Sequence, residues 1–293
     1  MSHPKQQNVF IIGAARSGTN MLRDVVSSLE PVITWDCDEI NPIWRHPYKH
    51  IETDCFKPEW ANSKTKYFYH KAFDAIRSTK APIVLEKTCA NSLRLGYIFK
   101  NFPDAKYLVM LRSGLDVVAS AKHRWVAPFD LEYTLKKLRY VPKIDLPFYA
   151  ARFGWNRLKQ LGSKEKKLSF WGPIYEDMRA DLQSEKSVEY VAAKQWIESV
   201  NITLNDLQAI PLEQKLVFVY EEFVAQPKEA LKKIALFLDI PVTDEILTNA
   251  VADVRPSSVG KAQKEGVRFD LGDIQSAFEL TMSRIHSFKQ TQL

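Results

Sequence analysis

The residues with the clearest chemical potential lie in a short turn near the start of the sequence. The stretch NVFIIGAARSGTNMLRDVV, residues 8–26, places Gly13 and Gly18 between an apolar run and an amphipathic run. Two glycines separated by four residues have the spacing of a phosphate loop, in which backbone amides and the start of a helix hold an anion. The spacing therefore predicts an anion-binding turn at residues 13–20.

The side chains of this turn indicate which anion it holds. A nucleoside triphosphate loop continues with Lys and then Ser or Thr, but Thr19 and Asn20 stand at those positions. Arg16 supplies a guanidinium instead, which makes bidentate contacts with oxyanions more readily than an ammonium group does. Further donors are available from Ser17, Gly18, Thr19 and Asn20. We predict an oxyanion site; the alternative is a capped turn with a surface arginine.

A second pair of residues suggests another anion contact. In VMLRSGLDVVAS, Arg112 ends a strongly apolar run, and Ser120 follows eight residues later in an amphipathic run. Open α/β sheets bind ligands beyond the carboxyl ends of their strands, which is where this arginine would lie. The alternative is an arginine that caps a helix, followed by a serine within that helix.

Alternating strands and helices are predicted to position these residues. The predicted strands are at residues 8–12, 32–35, 83–85, 106–112 and 215–220. The main predicted helices are at residues 19–29, 65–76, 92–102, 188–207 and 274–288. Strand, turn and helix repeat three times before residue 125, which predicts βαβ units. We therefore predict an α/β fold with a P-loop-like open parallel sheet flanked by helices, in which residues 215–220 form a central strand.

The alternation stops between residues 126 and 187, a stretch with four prolines and scattered apolar residues. We predict a mainly helical and loop insertion that forms a substrate cap, embedded in a single domain of residues 1–293. Among the residues it supplies is a mix of cationic and flat aromatic groups: Arg139, Arg152, Trp155, Arg157, Trp171 and Tyr175. Flat aromatic faces suit sugar rings, and cations suit anionic glycans or phospholipid headgroups; the alternative is that these side chains pack the cap.

Composition limits the classes of function. The 293 residues are 45% hydrophobic, and 41 Lys and Arg against 35 Asp and Glu give a formal net charge of +6, which suits an anionic ligand. The three cysteines form no CxxC pair, so a disulfide framework or thiolate zinc site is disfavoured and a reducing compartment is expected. Without a long apolar run or a signal-peptide pattern, we expect a cytoplasmic protein with no transmembrane segment.

Together, the two anion motifs resemble the sulfotransferases that use 3'-phosphoadenosine 5'-phosphosulfate. RSGTN, residues 16–20, is similar to the 5'-phosphosulfate loop in the arginine-bearing version of tyrosylprotein and bacterial sulfotransferases. RSGLDVVAS, residues 112–120, resembles the 3'-phosphate motif, although Ser113 stands where Asp or Asn is usual. EKTCANSLRL, residues 86–95, resembles a further family segment, with Cys89 where proline is common.

The resemblance implies a donor site for this nucleotide, whose product is adenosine 3',5'-bisphosphate. Arg16 and the turn amides would hold the 5'-phosphate, while Arg112 and Ser120 would hold the 3'-phosphate. Lys87 would stabilise the leaving group; the alternative is a lysine paired with Glu86. Two later stretches, residues 219–241 and 254–261, also resemble the family. They would complete the nucleotide site with Tyr220, Ser258 and Lys261.

The resemblance also places a catalytic carboxylate about twenty residues after the loop arginine. WDCDEINPIWRH lies there, and we choose Glu39 as the base, with Asp38 second. A carboxylate beside the apolar Ile-Pro stretch is expected to gain basicity by desolvation. Histidines at other positions are alternatives, although a lone histidine is more often structural: His46, His70 and His123. No metal site is predicted, because no cluster has metal-ligand spacing.

The predicted function is transfer of a sulfuryl group to a hydroxyl of a glycan, glycolipid or small metabolite, with a glycan or glycolipid favoured. Peripheral membrane contact is compatible with the composition, and the oligomeric state is left open. One alternative is a P-loop kinase-like phosphotransferase, disfavoured by the absent Walker lysine. Another is a catalytically inactive nucleotide-binding scaffold. A nucleic-acid binder is disfavoured, because the basic residues form no long stripe and no recognition motif occurs.

Overall fold

The structure is a computed structural model that describes residues 5–125, 137–151, 171–184, 186–256, 259–264 and 266–291, with the side chains of residues 123, 263 and 289–291 excepted. These residues form a parallel sheet flanked by helices, which confirms the predicted fold class. None of the helices they contain is long and apolar enough to cross a membrane.

The sheet has five strands in the order β2–β3–β1–β4–β5, all parallel. They are β1 (Gln7–Ile12), β2 (Val32–Ile33), β3 (Ile83–Lys87), β4 (Lys106–Leu111) and β5 (Lys215–Val219). Strand β1 is central, and its last four residues are apolar and buried, because helices cover both faces of a parallel sheet. Phe10 and Ile12 point into one hydrophobic core, and Val9 and Ile11 point into the other.

The prediction that residues 215–220 form a central strand is wrong. Strand β5 pairs with β4 on one side only, so it is an edge strand of the described sheet. All five of its residues are only partly buried. An apolar strand sequence shows that helices cover the faces of the sheet, and it carries no information about whether a second strand lies alongside.

The helices of eight or more residues are α1 (Thr19–Ser27), α3 (Ser63–Asp74), α5 (Gly114–Trp125), α7 (Val188–Asp206), α9 (Pro227–Phe237) and α12 (Gln275–Thr291). The shorter ones are α2 (Asn41–Arg45), α4 (Leu95–Asn101), α6 (Met178–Gln183), α8 (Tyr220–Ala225), α10 (Asp244–Ala250) and α11 (Lys261–Lys264). Buried residues of α1 and α9 fill one core, while α3, α4, α5 and α7 fill the other.

The parallel direction of the strands brings the predicted functional residues to one edge of the sheet. The Arg16 turn follows β1, Lys87 is the last residue of β3, and Arg112 directly follows β4. Strand β1 lies between β3 and β4, so these three positions are neighbours at the carboxyl ends of adjacent strands. This is the edge at which open α/β sheets bind ligands.

Part of the predicted cap, residues 126–187, lies within the described structure. Residues 137–151 include a 3-10 turn at Lys143–Asp145, and residues 171–184 include helix α6. The mainly helical and loop character of the described parts agrees with their sequence, while the role of the segment as a cap and the single-domain organisation stay predictions.

Candidate active site

The turn between β1 and α1 is held tightly against its surroundings. Gly18 has a φ of +87°, and a Cβ added there would lie 2.4 Å from Cδ2 of Tyr220. A Cβ added at Gly13 would lie 2.6 Å from the carbonyl oxygen of Met110 in β4. Both predicted glycines are therefore required for close packing, and Gly18 also for its left-handed backbone. Arg16 itself has a φ of +68°, a conformation that a non-glycine residue rarely adopts.

Helix α1 starts at Thr19 in a way that leaves its first amides suitable for an anion. No side chain of the described residues caps its amino-terminal end, and its first turn contains no acidic residue. The free amides and the positive end of the helix dipole attract negative charge. Ser17 and Thr19 are buried next to these amides, while Arg16 and Asn20 are exposed.

The two predicted anion motifs are in direct contact. The Nε of Arg16 donates to Oγ of Ser120 at 2.9 Å. Nη1 of Arg112 donates to the backbone carbonyl of Arg16, also at 2.9 Å. Residues separated by about a hundred positions in the chain are thus joined into one cationic site, with two guanidinium groups and a hydroxyl beside the start of α1.

Tyr220 supports both motifs. Its ring packs against Gly18 on one side, and the guanidinium of Arg112 lies 4.2 Å from the ring centroid. The tyrosine is only 6% exposed. The structure therefore gives this predicted nucleotide residue a packing role under the site, in which it fixes the distance between the loop and Arg112.

Helix α5 connects the site to the predicted nucleotide loop near residue 260. Asp116, in the first turn of α5, lies 3.8 Å from Arg112 and accepts hydrogen bonds from the amides of Gly260 at 2.8 Å and Ala262 at 3.0 Å. These contacts bring Lys261 to the side of the site that holds Arg112. Ser258, the other residue predicted for this loop, lies outside the described residues.

Several guanidinium groups lie close together at the site. The pKa of Arg16 is lowered, first by desolvation and further by the nearby charges of Arg124 and Arg112. Mutual repulsion of these guanidinium groups is relieved when an anion binds among them. The electrostatics of the described residues thus favour a polyanionic ligand.

Lys87 and Glu39 form a second functional pair. Nζ of Lys87 lies 3.4 Å from Oε1 of Glu39, and the Lys87 side chain is 1% exposed. The same carboxylate oxygen accepts from the amide of Cys89 at 3.2 Å, and its other oxygen lies 3.4 Å from Nζ of Lys137. The alternative pairing of Lys87 with Glu86 is wrong: Glu86 instead accepts from Thr88 and Asn91.

The expectation that desolvation makes Glu39 more basic is also wrong for the protein without ligands. Burial does act to raise the pKa of Glu39, but the charges of Lys87 and Lys137 outweigh it and hold that pKa well below its ordinary value. The pKa of Lys87 is raised: burial acts to lower it, and Cys89 and Glu39 more than compensate. The pair is therefore ionised at neutral pH. Lys137, the third member of the cluster, was not predicted, because it lies far from Glu39 in the chain.

Comparison with known proteins bears on this arrangement. Residues 8–151, which contain the loop, the Lys87–Glu39 pair and the Arg112 motif, match the model of the sulfotransferase family. Over this part of its length the chain belongs to the sulfotransferase family. No curated protein sequence matches it.

Solved structures show the same fold. The sulfotransferase domain of the Synechococcus PCC 7002 olefin synthase has a TM-score of 0.57 and 13% identity, covering 98% of this chain and 97% of its own. A sulfotransferase domain from the curacin biosynthetic pathway has a TM-score of 0.57 and 13% identity, covering 96% and 98%. Sulfotransferase STF9 from Mycobacterium avium has a TM-score of 0.52 and 12% identity, covering 97% and 77%. At these identities the likeness shows the fold alone.

The other carboxylate considered for this sulfotransferase, Asp38, is engaged elsewhere. Its oxygens accept from Nη1 of Arg23 at 2.9 Å and from Nδ2 of Asn20 at 3.4 Å. Burial acts to raise the pKa of Asp38, but the hydrogen bond from Arg23 and nearby cations lower it below its ordinary value. Asp38 thus connects its segment to helix α1. Because the side chain of Asn20 donates to Asp38, the backbone amide of Asn20 is the donor that remains for an anion at the site.

The histidines considered as alternative bases have structural contacts. Nδ1 of His46 lies 2.5 Å from Oδ2 of Asp145, and the imidazole stacks on Phe68. Nε2 of His70 lies 2.9 Å from the carbonyl oxygen of Asn101. The side chain of His123 lies outside the described part of the chain. Among the described residues, no group of three or more His, Cys, Asp or Glu side chains could hold a metal ion.

A buried polar network beneath the site was missed by sequence reasoning. Arg94 is 1% exposed and donates to the side chains of Asn41 at 2.7 Å and Asn91 at 2.9 Å. Its guanidinium lies over the rings of Trp44 and Phe56. Through these contacts Arg94 connects the segment that follows β3, which contains Asn91, to the segment that follows Glu39, which contains Asn41. A single arginine within an otherwise ordinary helical pattern carries no sequence signal of such burial.

Three of the six cap residues considered for the acceptor lie within the described structure. Tyr175 is 2% exposed and donates to Asp181 at 2.7 Å, so it packs the cap. Trp171 is partly buried beside Trp125, and Arg139 is exposed. The remaining three, Arg152, Trp155 and Arg157, lie outside the described residues.

A groove of about 520 Å³ lies elsewhere, along the outer edge of β5 and against α8 and α9. It contains none of the predicted site residues.

Proposed function

We propose that this protein transfers the sulfuryl group of 3'-phosphoadenosine 5'-phosphosulfate to an acceptor hydroxyl. The observation that carries the proposal is the direct contact between the Arg16 loop and the Arg112–Ser120 motif. A ligand with two separate phosphate groups fits two joined anion elements better than a ligand with one. Membership of the sulfotransferase family supports the same reaction class.

The two elements divide the donor between them. The amides of Gly18, Thr19 and Asn20 at the start of α1, together with Arg16, bind the 5'-phosphosulfate. Arg112 and Ser120 bind the 3'-phosphate, with Lys261 beside them on the loop that Asp116 holds. The Arg16–Ser120 hydrogen bond fixes the separation of the two phosphate positions before the donor arrives, which lowers the entropic cost of binding.

The Lys87–Glu39 pair performs the transfer. Glu39 accepts the proton of the acceptor hydroxyl as its oxygen forms a bond to sulfur. The bond between sulfur and the bridging oxygen of the 5'-phosphate breaks, and Lys87 stabilises the negative charge that develops on that oxygen or on a sulfuryl oxygen. Adenosine 3',5'-bisphosphate leaves as the product, and no metal ion takes part.

Donor binding would also activate the base. In the protein without ligands, Lys87 lowers the pKa of Glu39. The phosphosulfate competes for the ammonium group of Lys87, and as Lys87 turns toward the donor, the carboxylate loses its strongest cationic partner. The pKa of Glu39 then rises toward the range in which it accepts a proton, because its burial is no longer offset by that charge.

The acceptor is a hydroxyl of a glycan, a glycolipid or a small metabolite, and it approaches Glu39 from the side where Lys137 lies. Lys137 belongs to the predicted cap, so the cap contributes directly to the acceptor side of the catalytic pair. Its positive charge and the exposed Arg139 next to it favour an acceptor, or an acceptor environment, with negative charge.

The proposal is tested by calorimetric titration with adenosine 3',5'-bisphosphate, with adenosine 5'-monophosphate as the control ligand. We expect micromolar binding that depends on the 3'-phosphate, and a large loss of affinity in Arg16→Ala and Arg112→Ala. Equal binding of both nucleotides would contradict the two-phosphate site. Binding of a magnesium nucleoside triphosphate in preference would favour a kinase-like phosphotransferase, and binding of the product without turnover of the donor would favour an inactive scaffold.

A further inference from the structure

The described cap segment, residues 137–151, has an unusual distribution of polarity. Its inner side rests on residues 36–50 through charged groups: Lys137 contacts Glu39, and Asp145 contacts both His46 and Lys49. Asp145 is fully buried. Globular proteins normally bury apolar side chains and expose charged ones, so a segment that buries its carboxylate needs a specific explanation.

The outer side of this segment exposes large aliphatic groups. Ile144 is 76% exposed, and Leu138 and Leu146 are each 42% exposed. These three belong to the eight large hydrophobic side chains most exposed among the described residues, and they fall within nine consecutive positions. Scattered exposed leucines need no explanation, but a cluster indicates a surface that contacts something apolar.

The exposed charged side chains of this stretch itself are all cationic. Arg139 and Lys143 are exposed on the same stretch, and the only carboxylate between residues 137 and 151 is the buried Asp145, which is neutralised by Lys49. Aliphatic side chains that share a short stretch with exposed cations are complementary to a bilayer surface with anionic headgroups.

We propose that residues 138–146 dock on an anionic lipid surface, and that the acceptor is carried by a lipid. The inference rests on the proposed function, because it takes Glu39 as the base that the acceptor hydroxyl must reach. Lys137, next to Leu138, contacts Glu39 directly. A bilayer that covers the outer side of the segment therefore lies next to the acceptor side of the catalytic pair, where a headgroup hydroxyl becomes available without leaving the membrane.

The first experiment is flotation of the full chain with vesicles of phosphatidylcholine alone and of equimolar phosphatidylcholine and phosphatidylglycerol. We expect binding to the anionic vesicles that weakens with added salt, because exposed charges are screened. Ile144→Ser/Leu146→Ser is expected to lower the partition coefficient at least tenfold. The matched control, Leu212→Ser/Leu236→Ser, removes two leucines that are 73% and 80% exposed outside the segment and is expected to bind like the original protein.

A second pair of variants tests the charges without touching the apolar groups. Arg139→Gln/Lys143→Gln is expected to weaken binding about fivefold for each lost cation, while the control, Lys232→Gln/Lys233→Gln on α9, is expected to change it little. These side chains are exposed, so the variants fold even where the aliphatic ones do not.

Three outcomes would overturn the proposal: no binding of the original protein to anionic vesicles, equal binding of both aliphatic variants, or a dimer in solution that only Ile144→Ser/Leu146→Ser dissociates. Titration with adenosine 3',5'-bisphosphate in the absence of vesicles separates the two proposals. If the protein binds the nucleotide but not the vesicles, the proposed docking surface is wrong and the proposed function stands. If it binds the vesicles but not the nucleotide, the proposed function is wrong and the surface is supported as a lipid-binding site.

Discussion

The donor side and the acceptor side of this site are built in different ways. On the donor side, backbone geometry fixes the chemistry: a left-handed Gly18, the start of α1 and three adjacent strand ends bring Arg16 and Arg112 together. On the acceptor side, ion pairs between side chains position the functional groups: Lys137 contacts Glu39, and Asp145 contacts His46 and Lys49. Backbone geometry is rigid, whereas ion pairs respond to pH, salt and ligands.

This difference suggests a division of labour. The nucleotide is the same in every reaction cycle, and a preformed site binds it at low entropic cost. The acceptor side must admit a substrate and then change the charge state of Glu39, and a carboxylate held by two lysines can do so when one of them moves. Four substitutions test whether the two sides differ in this way.

The largest effect is expected where the two sides meet. Glu39→Gln removes the base, and we expect turnover to fall about a thousandfold, the range that general base catalysis contributes. Nucleotide affinity is expected to stay within a few fold of the original. The substitution leaves Lys87 buried without its carboxylate, so thermal unfolding should also report lower stability. Asp38→Asn is the matched control: unchanged turnover in Glu39→Gln, or an equal loss in Asp38→Asn, would remove Glu39 as the base.

The second effect tests the rigid donor side. Gly18→Ala puts a Cβ into the ring of Tyr220 at a left-handed position, and we expect affinity for adenosine 3',5'-bisphosphate to fall at least a hundredfold, or about 3 kcal/mol. Gly272→Ala is the control, because Gly272 has a φ of +54° but no atom within 4 Å of the added Cβ. It is expected to lower stability by about 1 kcal/mol and spare binding. Equal affinity in the two variants would show that the loop is not preformed.

The same division explains how much of the site the sequence could predict. Gly13, Gly18, Arg16 and Arg112 carry strong local signals, because a phosphate turn needs glycines at fixed spacing and an arginine at a strand end has few other roles. The parallel sheet follows from the repeated alternation of strands and helices. These features depend on neighbours in the chain, and local patterns report on such neighbours well.

The acceptor side depends on contacts between distant residues, and there the sequence predicted less. Lys137 lies 98 positions from the carboxylate it contacts, and Asp145 lies 99 positions from His46. Desolvation alone predicted a more basic Glu39, but the sign of the pKa shift is set by two lysines whose positions only the fold reveals. For the same reason, the edge position of β5 could not be predicted from its apolar sequence.

The third substitution distinguishes the roles of the two lysines that contact Glu39, Lys87 and Lys137. Lys137→Met is expected to raise the KM for the acceptor about tenfold with little change in nucleotide affinity, because Lys137 lies on the acceptor side only. Lys87→Met is the comparison: it removes the leaving-group stabiliser and is expected to lower kcat far more. Steady-state kinetics in which both substrates are varied would distinguish the two. If both variants lowered kcat and left the KM for the acceptor unchanged, Lys137 would belong to the donor side, and the two sides would not be built from separate residues.

The smallest effect on catalysis is expected from Asp145→Asn, which weakens the attachment of the cap segment at a distance from the nucleotide. Burial acts to raise the pKa of Asp145, but its bonds with Lys49 and His46 hold that pKa below its ordinary value of 3.8. A carboxyl with a depressed pKa stabilises the fold above its unfolded pKa and loses this contribution as the pH falls. We therefore expect the variant to be less stable near neutral pH, by about 3 kcal/mol, and the difference to shrink below about pH 4. Chemical unfolding at a series of pH values measures it, with Asp177→Asn, an exposed carboxylate, as the control. Nucleotide affinity should be unchanged, and a marked loss of it would show that the acceptor side helps to build the donor site.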